Sequence, residues 1–271
     1  MAGGARLRDD RPLPASVPCL PEGWPKWGEI VILSPHSDDA AFSVAGHMFH
    51  LSGAGKEFCL LTCFSISAFT QSAAHGNASS TTELRKREDS GYAGVIGPRC
   101  RAAWLDLPDA PLRGYNLRQV CHSDEFTAED RIVADGLKDL LNGILPRGSV
   151  VFAPLGIGGH IDHRLVHDAA VELAKLERFP MVFYEDMPYA AACEESEISR
   201  RILALESRLN GSLACSRYET PRLLDIRRSA ASCYPSQVRP ETLHKIFNAD
   251  PPLARYTYER VWQLRRTKES I

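Results

Sequence analysis

Two short segments hold residues able to do hydrolytic chemistry. The first is Ser34-Pro35-His36-Ser37-Asp38-Asp39, with one histidine and two acids within four residues. A neutral histidine nitrogen beside hard carboxylate oxygens is a ligand set for a divalent cation such as zinc. An acid left over could take a proton from a water on that cation. The competing reading is a helix start, with Ser37 or Asp38 capping and Asp39 favoured by the dipole of the first turn. Helix capping explains the acids but not His36, and on this segment alone both readings stand.

The second segment is Pro154-Leu155-Gly156-Ile157-Gly158-Gly159-His160-Ile161-Asp162-His163. His160 and His163 bracket Asp162, and three glycines allow backbone to approach a ligand closely. His163 and His167 stand four residues apart, a spacing that can chelate on a helix. No HExxH pattern accompanies them, so His167 is assigned to the packing face.

These segments need elements to position them. Short apolar runs alternate with helix-like stretches. Strands are expected at Glu29–Ser34, Glu57–Phe64, Cys100–Leu105, Ser149–Pro154 and Pro180–Tyr184, with a last alternating strand at Tyr256–Leu264. Helices are expected at Asp39–Ser52, Thr81–Ile96 with Thr81 or Thr82 as cap, Thr127–Leu145, His163–Leu176, Ile198–Leu209 and Pro221–Cys233. The pattern predicts an α/β protein: a three-layer α/β/α arrangement around a mostly parallel, Rossmann-like sheet, with a less regular C-terminal part. Such sheets place sites beyond the carboxyl ends of their strands, which is where both segments fall. Residues 1–28 are expected to form an N-terminal arm and 29–271 one domain, with a core at 29–190 and an elaboration at 191–271. Ser65–Thr82 and Leu107–Phe126 are expected to be substrate loops.

Composition narrows the class. The chain has 271 residues, 44% of them hydrophobic, so it can bury a substantial core. Lys and Arg total 32 against 34 Asp and Glu, which leaves no basic field for a nucleic-acid backbone. No apolar run reaches the roughly 18–20 residues of a membrane span. The start of the sequence lacks the apolar stretch of an export signal, and the eight cysteines form no CxxC pair. A soluble, cytoplasmic protein with free thiols is the expectation, without nucleic-acid or membrane partners. A nucleotide-binding Rossmann protein is disfavoured, because the first strand is followed by PHSDDA rather than GxGxxG.

Taken together, the two segments resemble the PIG-L/LmbE-like zinc-dependent de-N-acetylases, which include the GlcNAc-phosphatidylinositol and GlcNAc-inositol deacetylases. The family pattern (A/P)HPDD stands here as Pro35-His36-Ser37-Asp38-Asp39, and HxDH as His160-Ile161-Asp162-His163. An RxxE helix ending in LG is matched by Arg85-Lys86-Arg87-Glu88 with Ile96-Gly97, and Tyr234-Pro235-Ser236-Gln237 is similar to a late SQ/TQ element. The resemblance implies that His36, Asp39 and His163 bind Zn²⁺, or another divalent metal such as Fe²⁺ or Co²⁺. It implies Asp38 as general base, a protonated His160 as acid or oxyanion donor, Asp162 as an orienting acid, and Arg85 as a substrate contact. Tyr184 and Glu185, after the fifth strand, are further expected substrate contacts. Ser37 replaces a proline, and Ala40 follows the acids where glutamate is common. Gly158 stands where one type of member carries a tyrosine, so an oxyanion donor is expected from Tyr184, Tyr189 or backbone amides. The implied function is a metal-dependent hydrolase that removes an N-acyl group, acetyl above all, from an amino sugar or related natural-product intermediate. The rivals are an amidase on a larger non-sugar conjugate and a non-catalytic small-molecule binder on the same fold.

Overall fold

The computed structural model describes residues 29–71, 77–116, 119–122, 125–249 and 253–265. The expected N-terminal arm lies outside them. One seven-stranded sheet runs through the molecule in the order β3-β2-β1-β4-β5-β7-β6. The strands are β1 (Ile30–Ser34), β2 (Phe58–Thr62), β3 (Cys100–Trp104), β4 (Val150–Pro154), β5 (Met181–Tyr184), β6 (Ser212–Tyr218) and β7 (Glu259–Arg265). The first five pair in parallel. β7 runs antiparallel to β5, and β6 antiparallel to β7.

Every residue of β1, β2 and β4 is buried, which is why these strands read as unbroken apolar runs. Helices cover both faces. On one lie α1 (Asp39–Gly53), α2 (Ala78–Ile96) and α8 (Leu223–Ala231). On the other lie α3 (Gln119–His122), α4 (Ala128–Ile144), α5 (Ile161–Lys175), α6 (Tyr189–Ala192) and α7 (Glu195–Leu209). The last helix is α9 (Pro240–Phe247). Leu141 on α4 and Leu165 on α5 are fully enclosed, each worth about 1.5–3 kcal/mol of apolar burial. The cysteines described are all free.

The three-layer expectation therefore stands, with three local corrections. The helix expected at Thr81 starts at Ala78, because Asn77 accepts the Ser80 amide at 3.1 Å and caps it earlier. β6 was missed: its Ser212–Tyr218 stretch is half polar and sits on the sheet edge, so no apolar run announces it. The run Arg222–Arg228 holds three arginines whose spacing alone suggests a solvated face, yet Arg227 is 2% exposed and ion-paired to Glu259.

The chain order reverses between β1 and β4, the topological switch point of such sheets. The two motif segments leave precisely these two adjacent strands.

Candidate metal and catalytic centre

The turn after β1 is built by its own side chains. Ser34 Oγ donates to the His36 carbonyl at 2.6 Å and accepts the Ala40 amide at 3.1 Å. The His36 amide donates to Asp39 Oδ2 at 2.8 Å. Asp38 sits at φ +111°, a region that side chains other than glycine rarely adopt, and makes no capping bond to α1. The capping reading of this segment therefore fails for Asp38. Strained backbone of this kind is kept where the surroundings impose it. Here Ser37 Oγ donates to Asp89 Oδ2 at 2.9 Å, and Arg85 Nη2 donates to the Ser37 carbonyl at 2.9 Å.

After β4 the glycine loop brings His160 to the start of α5. Its Nδ1 accepts the Asp162 amide at 3.2 Å. A neutral imidazole that accepts at Nδ1 carries its proton on Nε2.

The two segments meet. His36, His160 and His163 each offer a nitrogen within 4.8 Å of the others. His36 Nε2 is taken by Asp162 Oδ2 at 2.8 Å, which leaves Nδ1, 3.3 Å from Asp39 Oδ2. His163 Nδ1 is taken by Asp186 Oδ1 at 2.7 Å, which leaves Nε2, 3.2 Å from the same Asp39 oxygen. Tetrahedral bonds of about 2.0–2.1 Å place neighbouring donors about 3.3 Å apart. His36 Nδ1, Asp39 Oδ2 and His163 Nε2 thus have the chemistry and spacing to hold a zinc-like cation. Each histidine is also braced by a carboxylate on its other nitrogen, the usual outer support of a metal-binding imidazole.

The support runs deeper. Asp162 Oδ1 pairs with Arg113 Nη2 at 2.7 Å, and its Oδ2 also accepts the Ala110 amide at 2.9 Å. Asp186 Oδ2 accepts the Ile157 amide at 3.0 Å. Fully buried Asp89 also accepts from Thr62 Oγ1 and Trp104 Nε1 at 2.9 Å, and from the Tyr234 hydroxyl at 3.0 Å.

Charge follows this wiring. Burial draws the His36 imidazole down, but its bonds to Asp162 and Asp39 outweigh this and raise it to about 9. Burial, and then the charge of Asp39, push the Asp38 carboxyl up to about 8. Burial, followed by the charges of His36 and His163, pushes His160 down to about 2. His160 is therefore a neutral Nε2–H donor, not the cation expected from sequence.

These groups open on a cavity of about 430 Å³. His36, Asp38, Asp39, His160 and Arg85 line it, as do Phe69 and Gln71 of one expected substrate loop and Asp109, Pro111, Val120 and Cys121 of the other. Asp162 lies behind the histidines: its carboxylate orients His36, and its amide holds His160. Tyr184 and Glu185 are not brought to the cavity, which corrects their expected role. Tyr184 is 1% exposed and donates to the Leu33 carbonyl at 2.8 Å. Glu185 pairs with Arg260 at 2.6 Å and Arg255 at 3.3 Å. Their neighbours matter instead: Asp186 braces His163, and Tyr189 lines the cavity with its ring edge-on to His163 at 5.3 Å. Gly158 has no room for a side chain, because a Cβ there would overlap the Tyr189 ring. Position after β5 was the one signal for Asp186; nothing in sequence pointed to Arg113 or Asp89.

A three-layer α/β fold with a histidine–carboxylate cluster at its switch point defines a class of enzyme-like architecture. Sequence comparison gives the family. Residues 31–174 match the family described as GlcNAc-PI de-N-acetylase, PIG-L, and the chain belongs to it. A 2'-N-acetylparomamine deacetylase from Streptomyces fradiae is 31% identical over 184 residues, covering 65% of this chain and 62% of that protein. The fold is shared with a deacetylase of teicoplanin biosynthesis, solved with teicoplanin, at TM-score 0.63 and 19% identity over 90% of this chain and all of the other. It is also shared with a 4-carboxy-2-hydroxymuconate hydratase from Pseudomonas putida, at TM-score 0.52 and 13% identity over 90% of this chain and 100% of the other. The fold alone thus does not choose the reaction.

Proposed function

We propose that the chain is a zinc-dependent N-deacetylase acting on an N-acetylated amino sugar or a related natural-product intermediate. The observation that carries this reading is the position of Asp39 Oδ2, 3.3 Å from His36 Nδ1 and 3.2 Å from His163 Nε2, beside a cavity that Asp38 and His160 line. Family membership and the paromamine relative support the bond and the substrate class. Among the described residues no helix is long and apolar enough to cross a membrane, which favours a substrate free of a bilayer.

His36, Asp39 and His163 would hold the metal, whose chemistry is to polarise the amide carbonyl and lower the pKa of water. Asp38 takes the proton from the attacking water. As the carbonyl carbon becomes tetrahedral, its oxygen gains charge, and His160 Nε2–H donates to it. Tyr189 is a second phenolic donor available in the cavity. The proton on Asp38 then passes to the amine as the C–N bond breaks, releasing acetate. Arg85 Nη2, 3.7 Å from Asp38 Oδ1, holds that carboxylate in place.

Elemental analysis of the purified protein, beside assays for acetate released from N-acetylated amino sugars, tests this. About one equivalent of zinc with turnover sustains the reading. A protein that takes up no divalent metal on reconstitution removes it.

A further inference from the structure

Two unlike sets of residues line the cavity. The charged set comes from the family-matched stretch 31–174: His36, Asp38, Asp39, Arg85 and His160. Another part of the wall comes from beyond that stretch and is mostly apolar: Val238, Ile246, Phe247 and Tyr256. Phe69 extends it and remains 43% exposed, a large apolar side chain left open at the cavity.

This wall is built rather than incidental. Phe247 and Tyr256 stack edge to face at 5.8 Å. Arg228 Nη2 donates to the Phe247 carbonyl at 2.9 Å, and Arg227 Nη1 to the Tyr256 carbonyl at 3.4 Å. Thr242 and Gln237 are the polar residues on this side, and Gln237 Nε2 is already spent on Ser236 Oγ at 2.7 Å and the Phe69 carbonyl at 3.4 Å. A bare sugar ring needs hydrogen-bond partners for its hydroxyls, and leaving them unpaired on apolar surface is costly. An aryl or alkyl group placed there gains from leaving water. The volume is at the small end of ligand sites, enough for a sugar-sized amide with one such group.

We infer that this wall is a subsite for an apolar substituent carried by the amide substrate. It rests on the reading of the centre as a deacetylase. It makes Val238, Ile246, Phe247 and Tyr256 the selectivity element of this chain, beyond what the family's shared stretch provides.

Three probes test it: N-acetylglucosamine, its benzyl glycoside and N-hexanoylglucosamine. They place no apolar group, one on the sugar side and one on the acyl side. Release of free amine is followed with the zinc-loaded protein, and binding is measured by calorimetry on an Asp38→Asn variant. One apolar probe is expected to exceed N-acetylglucosamine by tenfold or more in kcat/KM. Which one does so identifies the side of the amide that the wall serves. Ile246→Asn, at a half-buried position, is expected to reduce that ratio to within twofold. Equal rates for all probes, or a preference that survives Ile246→Asn, overturns the subsite and leaves the deacetylase reading intact. Preferential binding that Ile246→Asn abolishes, with no probe cleaved, upholds the subsite and removes the deacetylase reading. Absence of both binding and cleavage overturns both.

Discussion

Residues 31–174 and the chain after them contribute to the same cavity by different means. The first region holds four parallel strands, of which β1, β2 and β4 are fully buried, and β1 and β4 end in the turns that carry His36, Asp39 and His163. The second adds an antiparallel edge, β7 and β6, and the short helices that wall the cavity. Its contributions to the centre are indirect: Asp186 behind His163, Tyr189 over Gly158, and the apolar wall. A deep parallel core holds donors within tenths of an ångström because many packed neighbours fix each strand. Segments at an edge have fewer constraints and can vary what they present. Under the proposed function, the metal donors stand at the ends of buried parallel strands, and the apolar wall is supplied by helices and turns from the later part of the chain.

Four changes would break or sharpen this division, taken from the largest effect downward. Replacing both His36 and His163 by alanine should abolish bound zinc and all turnover, read by elemental analysis beside circular dichroism for fold. Retention of stoichiometric metal would move the centre elsewhere. Asp38→Asn should keep the metal yet lower kcat by about 10²–10⁴-fold. If metal is lost as well, Asp38 belongs to the donors rather than to proton transfer.

The third change lies in the second region. Buried Glu259 accepts from the Gly46 amide at 2.8 Å, His47 Nδ1 at 2.7 Å and Arg227 Nε at 3.2 Å, tying β7 to α1 and α8. Burial alone would raise its carboxyl, but the bond from His47 and the charge of Arg227 outweigh this and hold it below the usual range. A depressed folded pKa stabilises above the unfolded value, near 4.5, and that stability is lost as the pH falls through the folded value. Glu259→Gln strands the Arg227 charge and should cost about 3 kcal/mol at pH 7 in urea unfolding. The variant should also lose less stability than the parent between pH 4.5 and 3. An equal acid loss in both proteins would assign the dependence to other carboxylates. The smallest effect is expected from Asp186→Asn, which should weaken zinc affinity by about 10–100-fold in a chelator competition. A change below twofold would mean that the second region does not support the centre.

Both motifs were readable because each is local. His36 to Asp39 and His160 to His163 are neighbours in sequence, and each follows an apolar run that marks a strand. Asp186 is half readable: it stands next to Tyr184 and Glu185, the residues at the end of the fifth strand that the sequence singles out. Asp186 lies beyond the end of β5, so its contact with His163 is set by the turn after the strand and by the packing of α5, not by strand alternation. Arg113, Asp89 and the Phe247–Tyr256 pair gave no signal, since their partners lie far away in sequence.

By itself, then, the sequence determined the sheet's parallel core, the two motif segments and the family, because apolar periodicity and short-range spacing are written along the chain. Only the tertiary structure decided which nitrogen of each histidine remains for a cation. That choice depends on Asp162 and Asp186 arriving from other turns. It also decided that His160 is a neutral donor, that Tyr189 occupies the space above Gly158, and that an apolar wall faces the cavity. Each of these is a contact between distant segments, and such contacts exist only once the packed core has set their positions.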